Sequence, residues 1–443
     1  MKLSSYIFFV FISAFFLLIS SCTNVDQPFL DTLTTSQAES LSPPRTTVEL
    51  VPNQYIVILK EEPSPSLGSG NGAERSQIQA DGSLGSRDPK SQMATSLYQY
   101  KVQAVKKKCV ALLTANRIPP AAIKKTIAGI KNGMVVSLNP AEKKQLEKDP
   151  AIDMIEQDQF ISLSQFDPQI RTPFNPAGSE VGSESAGQII PAGITRVGGS
   201  FDFETNPQYS YRWVWIMDTG INDHDELEVL NGYSVNFSGA SDLDDDFGHG
   251  THVAGIIGAK NDNEGVVGVA AGVYMVNIKV LDDNGLGYAS DIVAALGYIS
   301  YYVWPEDVIN MSIGGGASNI VDNTVLSFAN VGVKVVVAAG NGHQNVSTLS
   351  PARVSHPNIF VVTSIDSQDS FSYFSNYGNS VDYAAPGEYI LSTFDDDEYA
   401  YCTGTSMAAP HVSGVLLVAP SSYTTDGTSS AAPDGTTFPV IVR

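Results

Sequence analysis

The chain has 443 residues, of which 43% are hydrophobic and 16% are charged, enough for a large core and for more than one domain. The net charge of −22 belongs to the C-terminal part, because residues from 191 onward carry 7 Lys/Arg and 29 Asp/Glu. Phosphate binding needs a basic surface, so nucleic acid is excluded as an expected partner. Three cysteines in a chain of this length do not form a disulfide framework.

The first 50 residues have the composition of a targeting segment followed by a tether. A short apolar run over residues 6–19 predicts a signal peptide over residues 1–21 rather than a membrane span. The sequence "ISSC", ending at Cys22, resembles the lipobox of bacterial lipoproteins and predicts lipidation of that cysteine. The alternative is an ordinary cleaved signal with an unrelated cysteine. Residues 22–50 are rich in Ser, Thr and Pro and are predicted to be a tether.

Residues 51–163 are predicted to form a small α+β domain with the element order β-α-β-β-α-β. Asn132-Gly133 predicts a tight hairpin turn, and Asn139 followed by Glu142 predicts the N-terminus of the second helix. This order is the ferredoxin-like, split βαβ arrangement. The predicted elements are strand 54–60, helix 93–117, a hairpin within 123–138, a helix after 139 and strand 151–163.

Residues 164–187 are a Gly/Ser/Pro-rich linker, and from residue 188 the pattern changes to apolar strands alternating with helical stretches. Near-continuous apolar strands indicate a parallel sheet covered by helices on both faces, so residues 188–443 are predicted to be one α/β domain. The five clearest strands are 213–217, 272–281, 307–313, 333–340 and 359–365.

Three short stretches place polar side chains at the ends of these elements, where functional groups of open parallel sheets collect. Asp218 ends a strand, and His249 begins a helix of small residues. Pro410 is tolerated only near the start of a helix, so Ser406 is predicted at a helix N-terminus, with its hydroxyl exposed. A nucleophilic serine needs a base and an orienting carboxylate, and Asn341 after another strand supplies an amide donor. Taken singly, Asp218 is better explained as a turn aspartate and Ser406 as an ordinary helix N-cap.

A zinc site is the other chemistry that the histidines could support. His249 and His252 are only three residues apart, and Gly250 stands where H-E-x-x-H requires glutamate. A zinc site is therefore not expected, and His252 is predicted to be structural.

Five motifs, "DTGI", "HGTHVAG", "SIGGG", "AAGN" and "GTSMAAPHVSG", occur in this order. Together they resemble the subtilisin-like serine proteases, especially the proteinase K-like branch, over residues 188 to about 418. Residues 51–163 are similar to the inhibitory propeptide of that family. The resemblance implies a secreted, monomeric serine endopeptidase that acts on polypeptides, is made as a self-processing zymogen and needs no cofactor for its chemistry. It also implies a maturation cut within 163–187, with the propeptide as intramolecular chaperone and inhibitor.

The resemblance carries roles over to individual residues. Ser406 would be the nucleophile, His249 the base and Asp218 its orienting carboxylate, while Asn341 and the Ser406 backbone N–H would form the oxyanion hole. The residues implied at the two substrate-binding edges are Gly285, Leu286, Gly287, Ser312, Ile313 and Gly314. Those implied at the pocket for the residue before the cut are Ala338, Ala339 and Gly340.

A structural calcium site is implied with less support. The carbonyls of Pro357 and Ile359 and the carboxylate of Asp382 match a proteinase K-type site, and oxygen ligands suit calcium. The alternative is a plain loop aspartate. A separate acidic cluster is predicted to be a solvated loop rather than a second calcium site, and its members are Asp242, Asp244, Asp245 and Asp246.

Two departures from the family pattern bear on function. After Leu417 the chain has only a short Gly/Ser-rich tail, so some helical cover is expected to be missing or replaced, and Phe247 stands where a polar residue is usual. The alternative function is a catalytically inactive, surface-anchored binding protein with a subtilase fold. A nucleotide-dependent enzyme is disfavoured because no G-x-G-x-x-G lies between a strand and a helix. The G-x-S-x-G elbow of esterases is absent as well.

Overall fold

The computed structural model describes residues 48–60, 89–163, 172–174, 187–202 and 212–443. The predicted signal peptide, Cys22 and most of the predicted tether lie outside these residues. No helix in the described ranges is both long and apolar enough to cross a membrane.

The N-terminal module, residues 48–163 as far as they are described, is an antiparallel sheet with two helices. Its elements are β1 (Leu50–Leu59), α1 (Pro89–Ala115), β2 (Ile123–Ile127), β3 (Gly133–Ser137), α2 (Pro140–Leu146) and β4 (Ile152–Ser162). The sheet order β4-β1-β3-β2 has all neighbours antiparallel. This element order agrees with the sequence prediction. Asn139 caps α2, and Glu142 returns a hydrogen bond to its backbone, so the predicted capping box is confirmed.

The prediction of a tight turn at Asn132-Gly133 is wrong. Gly133 is already the first residue of β3 and pairs with Ile127, so residues 128–132 form the connection. A side chain on Gly133 would lie 2.1 Å from the Val57 carbonyl oxygen, and one on Gly129 would lie 2.0 Å from the backbone oxygen of Gly297. These two glycines serve close backbone packing rather than a two-residue turn.

The C-terminal module, the described residues from 187 onward together with residues 172–174, contains the remaining elements. Its strands are β5 (Thr172–Phe174), β6 (Phe201–Asp202), β7 (Trp213–Asp218), β8 (Glu228–Val229), β9 (Val235–Asn236), β10 (Ala270–Ala271), β11 (Tyr274–Lys279), β12 (Leu286–Tyr288), β13 (Val308–Met311), β14 (Gly315–Gly316), β15 (Lys334–Ala338), β16 (Leu349–Ser350), β17 (Ile359–Ile365), β18 (Tyr383–Pro386), β19 (Ile390–Thr393), β20 (Tyr399–Cys402), β21 (Thr424–Thr428) and β22 (Pro439–Val442). Its helices are α3 (Ala192–Arg196), α4 (His249–Gly258), α5 (Ala289–Ile299), α6 (Asn319–Ala329) and α7 (Thr405–Val418).

The central sheet has the order β21-β22-β18-β17-β15-β13-β7-β11-β8, and β9 also pairs with β11. All these pairs are parallel except β21 with β22. Every residue of β7, β13 and β17 is buried. Because neighbouring side chains of a strand point to opposite faces, both faces of the sheet are covered, and the predicted α/β class is confirmed.

Helix α7 occupies the centre of this arrangement, since it packs on α4 and on strands β13, β15 and β17. Helices α5 and α6 pack on each other, on the sheet and on the N-terminal module. The carboxyl ends of β7 and β13, the start of α4 and the start of α7 are thereby held by one core.

The C-terminal tail adds sheet rather than helix. Strand β22 extends the parallel sheet beside β18, and Val440 and Ile441 are fully buried. The Arg443 N–H donates to the carbonyl of Val197. Strands therefore replace the helical cover that was expected to be missing after Leu417.

Candidate active site

Asp218 and His249 form a buried pair at the carboxyl end of β7 and the start of α4. The Nδ1 atom of His249 lies 2.6 Å from Oδ1 of Asp218. Asp218 is 1% exposed and is therefore fully buried. An imidazole held through Nδ1 presents Nε2 as its other nitrogen, which is the arrangement a general base needs.

Asp245 supports this pair and is not part of a solvated loop. It is fully buried, and it accepts hydrogen bonds from the Thr219 hydroxyl at 2.6 Å and from the Gly248 and Thr251 N–H groups at 2.9 and 2.8 Å. Thr219 in turn donates its backbone N–H to Oδ1 of Asp218 at 2.8 Å. Burial raises the pKa of Asp245, and its many donors oppose that shift.

A buried cation stands next to the same turn. Lys279 pairs in register with Asp218 across β11 and β7 and is fully buried. Its ammonium donates to the carbonyls of Thr219 and Asp244 and lies 2.8 Å from the Asp283 carboxylate. This lysine links the end of β7 with the loop that leads into β12.

Ser406 lies in the first turn of α7 and contacts the end of β13. Its hydroxyl donates to the Ser312 carbonyl at 3.1 Å, and the Ser312 hydroxyl donates back to the Ser406 carbonyl at 2.9 Å. The side chain is 5% exposed, so it is more enclosed than the sequence predicts.

The orientation of the Asn341 amide is set by Thr405. Its Oδ1 accepts hydrogen bonds from the Thr405 N–H at 2.9 Å and from the Thr405 hydroxyl at 2.8 Å. The Nδ2 end therefore faces the other way, and a Cβ placed on Gly404 would lie 3.1 Å from it. Asn341 thus places its donor group beside the N-terminus of α7, the helix whose first turn contains Ser406.

Strand β4 of the N-terminal module pairs with one predicted substrate-binding edge and contacts the two glycines that directly follow the other, Gly315 and Gly316. Strand β4 pairs antiparallel with β12, joining Ile161 to Gly287, and the Leu163 N–H donates to the Gly285 carbonyl at 3.0 Å. On the other side, a Cβ on Gly315 would lie 2.4 Å from the Cδ1 atom of Ile161. An extended segment is therefore enclosed between β12 and the chain after Ser312.

The residues predicted to line the pocket adjoin the same region. Ala338 ends β15, and the Gly340 N–H donates to the Thr405 hydroxyl at 2.9 Å. Ala338 and Ala339 are buried. Their small side chains place the end of β15 directly against the start of α7.

The predicted calcium ligands lie around the start of β17. The Asp382 N–H donates to the Val361 carbonyl, and its Oδ2 accepts the Val361 N–H, both at 2.9 Å. Burial raises the pKa of Asp382 to about 6. Asp382 is half-buried, and a carboxylate together with main-chain carbonyls, as predicted for Asp382, Pro357 and Ile359, is the hard-oxygen donor type that calcium prefers.

Side-chain ligands alone would not hold a metal here. Within the described residues, no group of three or more His, Cys, Asp or Glu side chains is placed to bind an ion.

His252 is fully buried, its Nε2 contacts the carbonyls of Ile390 and Ala400, and burial lowers its pKa to about 3. It therefore remains neutral, in agreement with the predicted structural role.

Sequence reasoning missed several residues around the site, among them Thr405, Lys279 and Asp245. Thr405 stands inside a motif already singled out, so its position next to Ser406 was an available signal. Lys279 gave none, because a lysine in a strand normally reaches solvent, and Asp245 was wrongly assigned to the solvated acidic cluster.

Comparison with known proteins points to one family. The family model described as the subtilase family matches residues 213–433. An alkaline serine protease, ver112, of Corniculantispora psalliotae is 34% identical over 313 residues, which cover 68% of this chain and 74% of that protein. Alkaline serine exoprotease A of Vibrio alginolyticus is 37% identical over 292 residues, or 65% of this chain, and the chain spans about half (51%) of that relative.

One further relative and one solved structure are also named as serine proteinases. An extracellular serine proteinase of Thermus sp. (strain Rt41A) is 35% identical over 312 residues, or 67% of this chain and 68% of that protein. Among solved structures, a cold-adapted subtilisin-like serine proteinase is 36% identical, with 51% of this chain and 83% of that chain covered and a TM-score of 0.44.

Proposed function

The chain belongs to the subtilase family, and from this premise we propose that it is a serine endopeptidase that hydrolyses peptide bonds of proteins through an acyl-enzyme. The observation that carries the proposal is the 2.6 Å contact between His249 Nδ1 and Asp218 Oδ1, since His249 belongs to helix α4, which packs on the helix that begins at Thr405. A buried carboxylate–imidazole pair on a helix that packs against one with a serine in its first turn suits acyl transfer, because the positive end of that second helix favours a developing negative charge.

In the proposed reaction, the Ser406 oxygen attacks the scissile carbonyl while His249 accepts its proton through Nε2. His249 then delivers that proton to the leaving amine. Asp218 holds the imidazole tautomer and stabilises the imidazolium without itself being protonated. Water repeats the sequence on the acyl-enzyme and regenerates the free serine.

The charge on the tetrahedral intermediate is taken up by preorganised donors. The Nδ2 end of Asn341 and the Ser406 N–H are assigned to this role, and the support is the fixing of the Asn341 amide by Thr405. Donors that are already oriented cost no reorganisation when the charge develops. Main-chain pairing along β12 and the chain at Ser312 would bind extended polypeptides of many sequences, with the 338–340 segment lining the pocket before the cut.

Residues 51–163 are proposed to be an inhibitory propeptide and folding assistant. Support comes from β4, which lies between the two edges a substrate would use, and from the ion pair of Lys125 with Asp291 of α5. Residues 101–150 contain 11 basic and 3 acidic residues, complementary to the acidic C-terminal module, which favours docking. The cut that releases the propeptide is proposed to be autocatalytic and to fall within 163–187.

The cellular location of the protein and a structural calcium ion are proposed as well. The chain is proposed to be exported from a bacterium, with residues 1–21 removed and Cys22 lipidated, so that the tether anchors the zymogen at the cell envelope and the mature domain is extracellular. One structural calcium ion is proposed at Pro357, Ile359 and Asp382, where it would neutralise a half-buried carboxylate. The chemistry itself requires no cofactor.

Labelling with a fluorophosphonate tests the proposed activity. Purified full-length protein should mature, label once at Ser406 by mass spectrometry and cleave a denatured protein substrate. Ser406→Ala should abolish all three, and Ser413→Ala is the matched control because that hydroxyl lies in the same helix but donates to Asn310. An unlabelled but folded wild-type protein would overturn the proposal and favour the inactive binding protein.

A further inference from the structure

We infer that Asn376 is a positioning residue that holds the loop carrying Asn341 in the geometry required of an oxyanion donor. This inference rests on the proposed function and deepens it. The loop, residues 339–344, follows β15 and is here called the donor loop. Neither Asn376 nor its neighbours contact the serine or the histidine in any of the hydrogen bonds described above.

The side chain of Asn376 makes three hydrogen bonds with the backbone of the donor loop. Its Nδ2 donates to the Ala339 carbonyl at 2.8 Å, and its Oδ1 accepts the N–H groups of Gly342 at 3.0 Å and Gln344 at 2.9 Å. Its own backbone N–H donates to the Gly340 carbonyl at 2.9 Å. One residue therefore binds the loop on both sides of Asn341.

This contact replaces the strand partner that an irregular loop lacks. Asn376 is 1% exposed and its bond to the Ala339 carbonyl is buried, so water does not readily replace that contact. Gly340 has φ of +95°, and a Cβ there would lie 2.6 Å from Nδ2 of Asn376, so the asparagine packs directly against the loop backbone.

The other end of Asn376 is anchored in the core. Its carbonyl accepts the hydroxyl of Thr363, which belongs to the fully buried strand β17. Thr405 fixes the Asn341 amide from the helix side, and Asn376 fixes the backbone from the sheet side. The two together leave the donor group one orientation, which is the condition for electrostatic stabilisation without reorganisation.

A double-mutant cycle tests the inference on mature, active-site-titrated enzyme with a chromogenic peptide anilide. We expect Asn376→Ala to lower kcat by about 10-fold or more while KM changes less than about 3-fold, and Asn341→Ala to lower kcat by about 10²–10³-fold. In the Asn341→Ala background the further loss from Asn376→Ala should be under about 2-fold, because the donor it positions is already gone. Equal losses in both backgrounds would overturn the inference and indicate a purely structural role.

Two further variants keep the test decisive. Asn345→Ala is the matched control, since that asparagine lies just beyond the donor loop and its side chain accepts the Ser347 N–H, so kcat should stay within about 2-fold. If Asn376→Ala does not yield folded enzyme, Asn376→Asp keeps both acceptor bonds and loses the donor to Ala339, and the same cycle is run with it. An inactive wild type would count against the proposed function, whereas an active wild type with multiplying losses counts only against the role of Asn376.

Discussion

His249 and Asp218 are joined by a 2.6 Å contact although they are 31 residues apart, because α4 begins at the edge where β7 ends. The contact uses Nδ1, so Nε2 is the nitrogen that accepts the serine proton in the proposed mechanism. Asp218 also accepts the N–H of Thr219, so its carboxylate is held by the backbone as well as by the imidazole. The pair is therefore preorganised by backbone geometry.

Asp218→Asn should lower kcat by about 10⁴-fold with little change in KM, the size known for the same replacement in a serine protease triad. The amide places a donor opposite Nδ1, so the imidazole adopts the tautomer that cannot accept the serine proton. Steady-state kinetics of the mature enzyme measure the loss. Asp223→Asn, an exposed aspartate of the following loop, should retain wild-type kcat. A loss of less than 10-fold at Asp218 would contradict the assigned role.

If the N-terminal module is the proposed inhibitory propeptide, Asp158→Ala should shorten the lag before proteolytic activity appears. The Asp158 carboxylate is fully buried between the modules, where it accepts the Ser290 N–H at the start of α5 at 3.1 Å and the Gln54 amide at 2.7 Å. Loss of a charged hydrogen bond costs about 1.5–3 kcal/mol, so the N-terminal module should bind at least about 10-fold more weakly.

The measurement is the lag before full hydrolysis begins, followed on full-length protein. The lag should shorten strongly in Asp158→Ala and stay unchanged in Asp153→Ala, which replaces an exposed aspartate of the same strand. An unaltered lag in Asp158→Ala would mean that this contact does not hold the inhibitor in place.

Local patterns predicted most of the architecture. The five parallel strands, the ends of α4 and α7 and the capping box of α2 follow from apolar periodicity, Pro410 and the Asn139–Glu142 pair, all of which act over a few residues. The convergence of Asp218 and His249 could be predicted because Asp218 lies where a parallel strand ends and His249 lies where a helix begins.

Features that depend on residues far away in the sequence could not be predicted from local patterns. The burial of Asp245 depends on Thr219 and Thr251, and that of Lys279 depends on carbonyls supplied by other loops. The Asn132-Gly133 turn was wrong because a contact with Gly297, more than 160 residues away, decides the path of the chain. Long-range backbone packing overrides a local turn signal.

Asp382 should make stability depend on pH and calcium. Its pKa, raised by burial to about 6 from 3.8, means that the folded protein binds this proton more tightly than the unfolded chain. Without calcium, the free energy of unfolding should therefore fall as pH rises from about 4 to about 6 and remain lower above that. Calcium should raise the melting temperature more at pH 8 than at pH 5.

Thermal melts of inhibitor-blocked mature enzyme, in chelator and in calcium, measure both effects. In Asp382→Asn the decline between pH 4 and 6 should be smaller in chelator, and the calcium-dependent rise at pH 8 should be reduced. Asp434→Asn, in an exposed turn, should behave as wild type. The same calcium response in Asp382→Asn and wild type would rule this carboxylate out as a ligand.

Phe438→Ala should test whether the C-terminal strands are an integral part of the core. Phe438 is 2% exposed, lies 6.2 Å from the ring of Phe371 and directly precedes β22. Removing a buried phenylalanine costs about 3–5 kcal/mol, so the apparent melting temperature at a fixed scan rate should drop by about 6–20 °C. Tyr373→Ala, which removes an aromatic ring that is 67% exposed, should shift it by no more than about 2 °C. An equal, small shift of the melting temperature in both variants would mean that the tail, including β22, does not stabilise the protein.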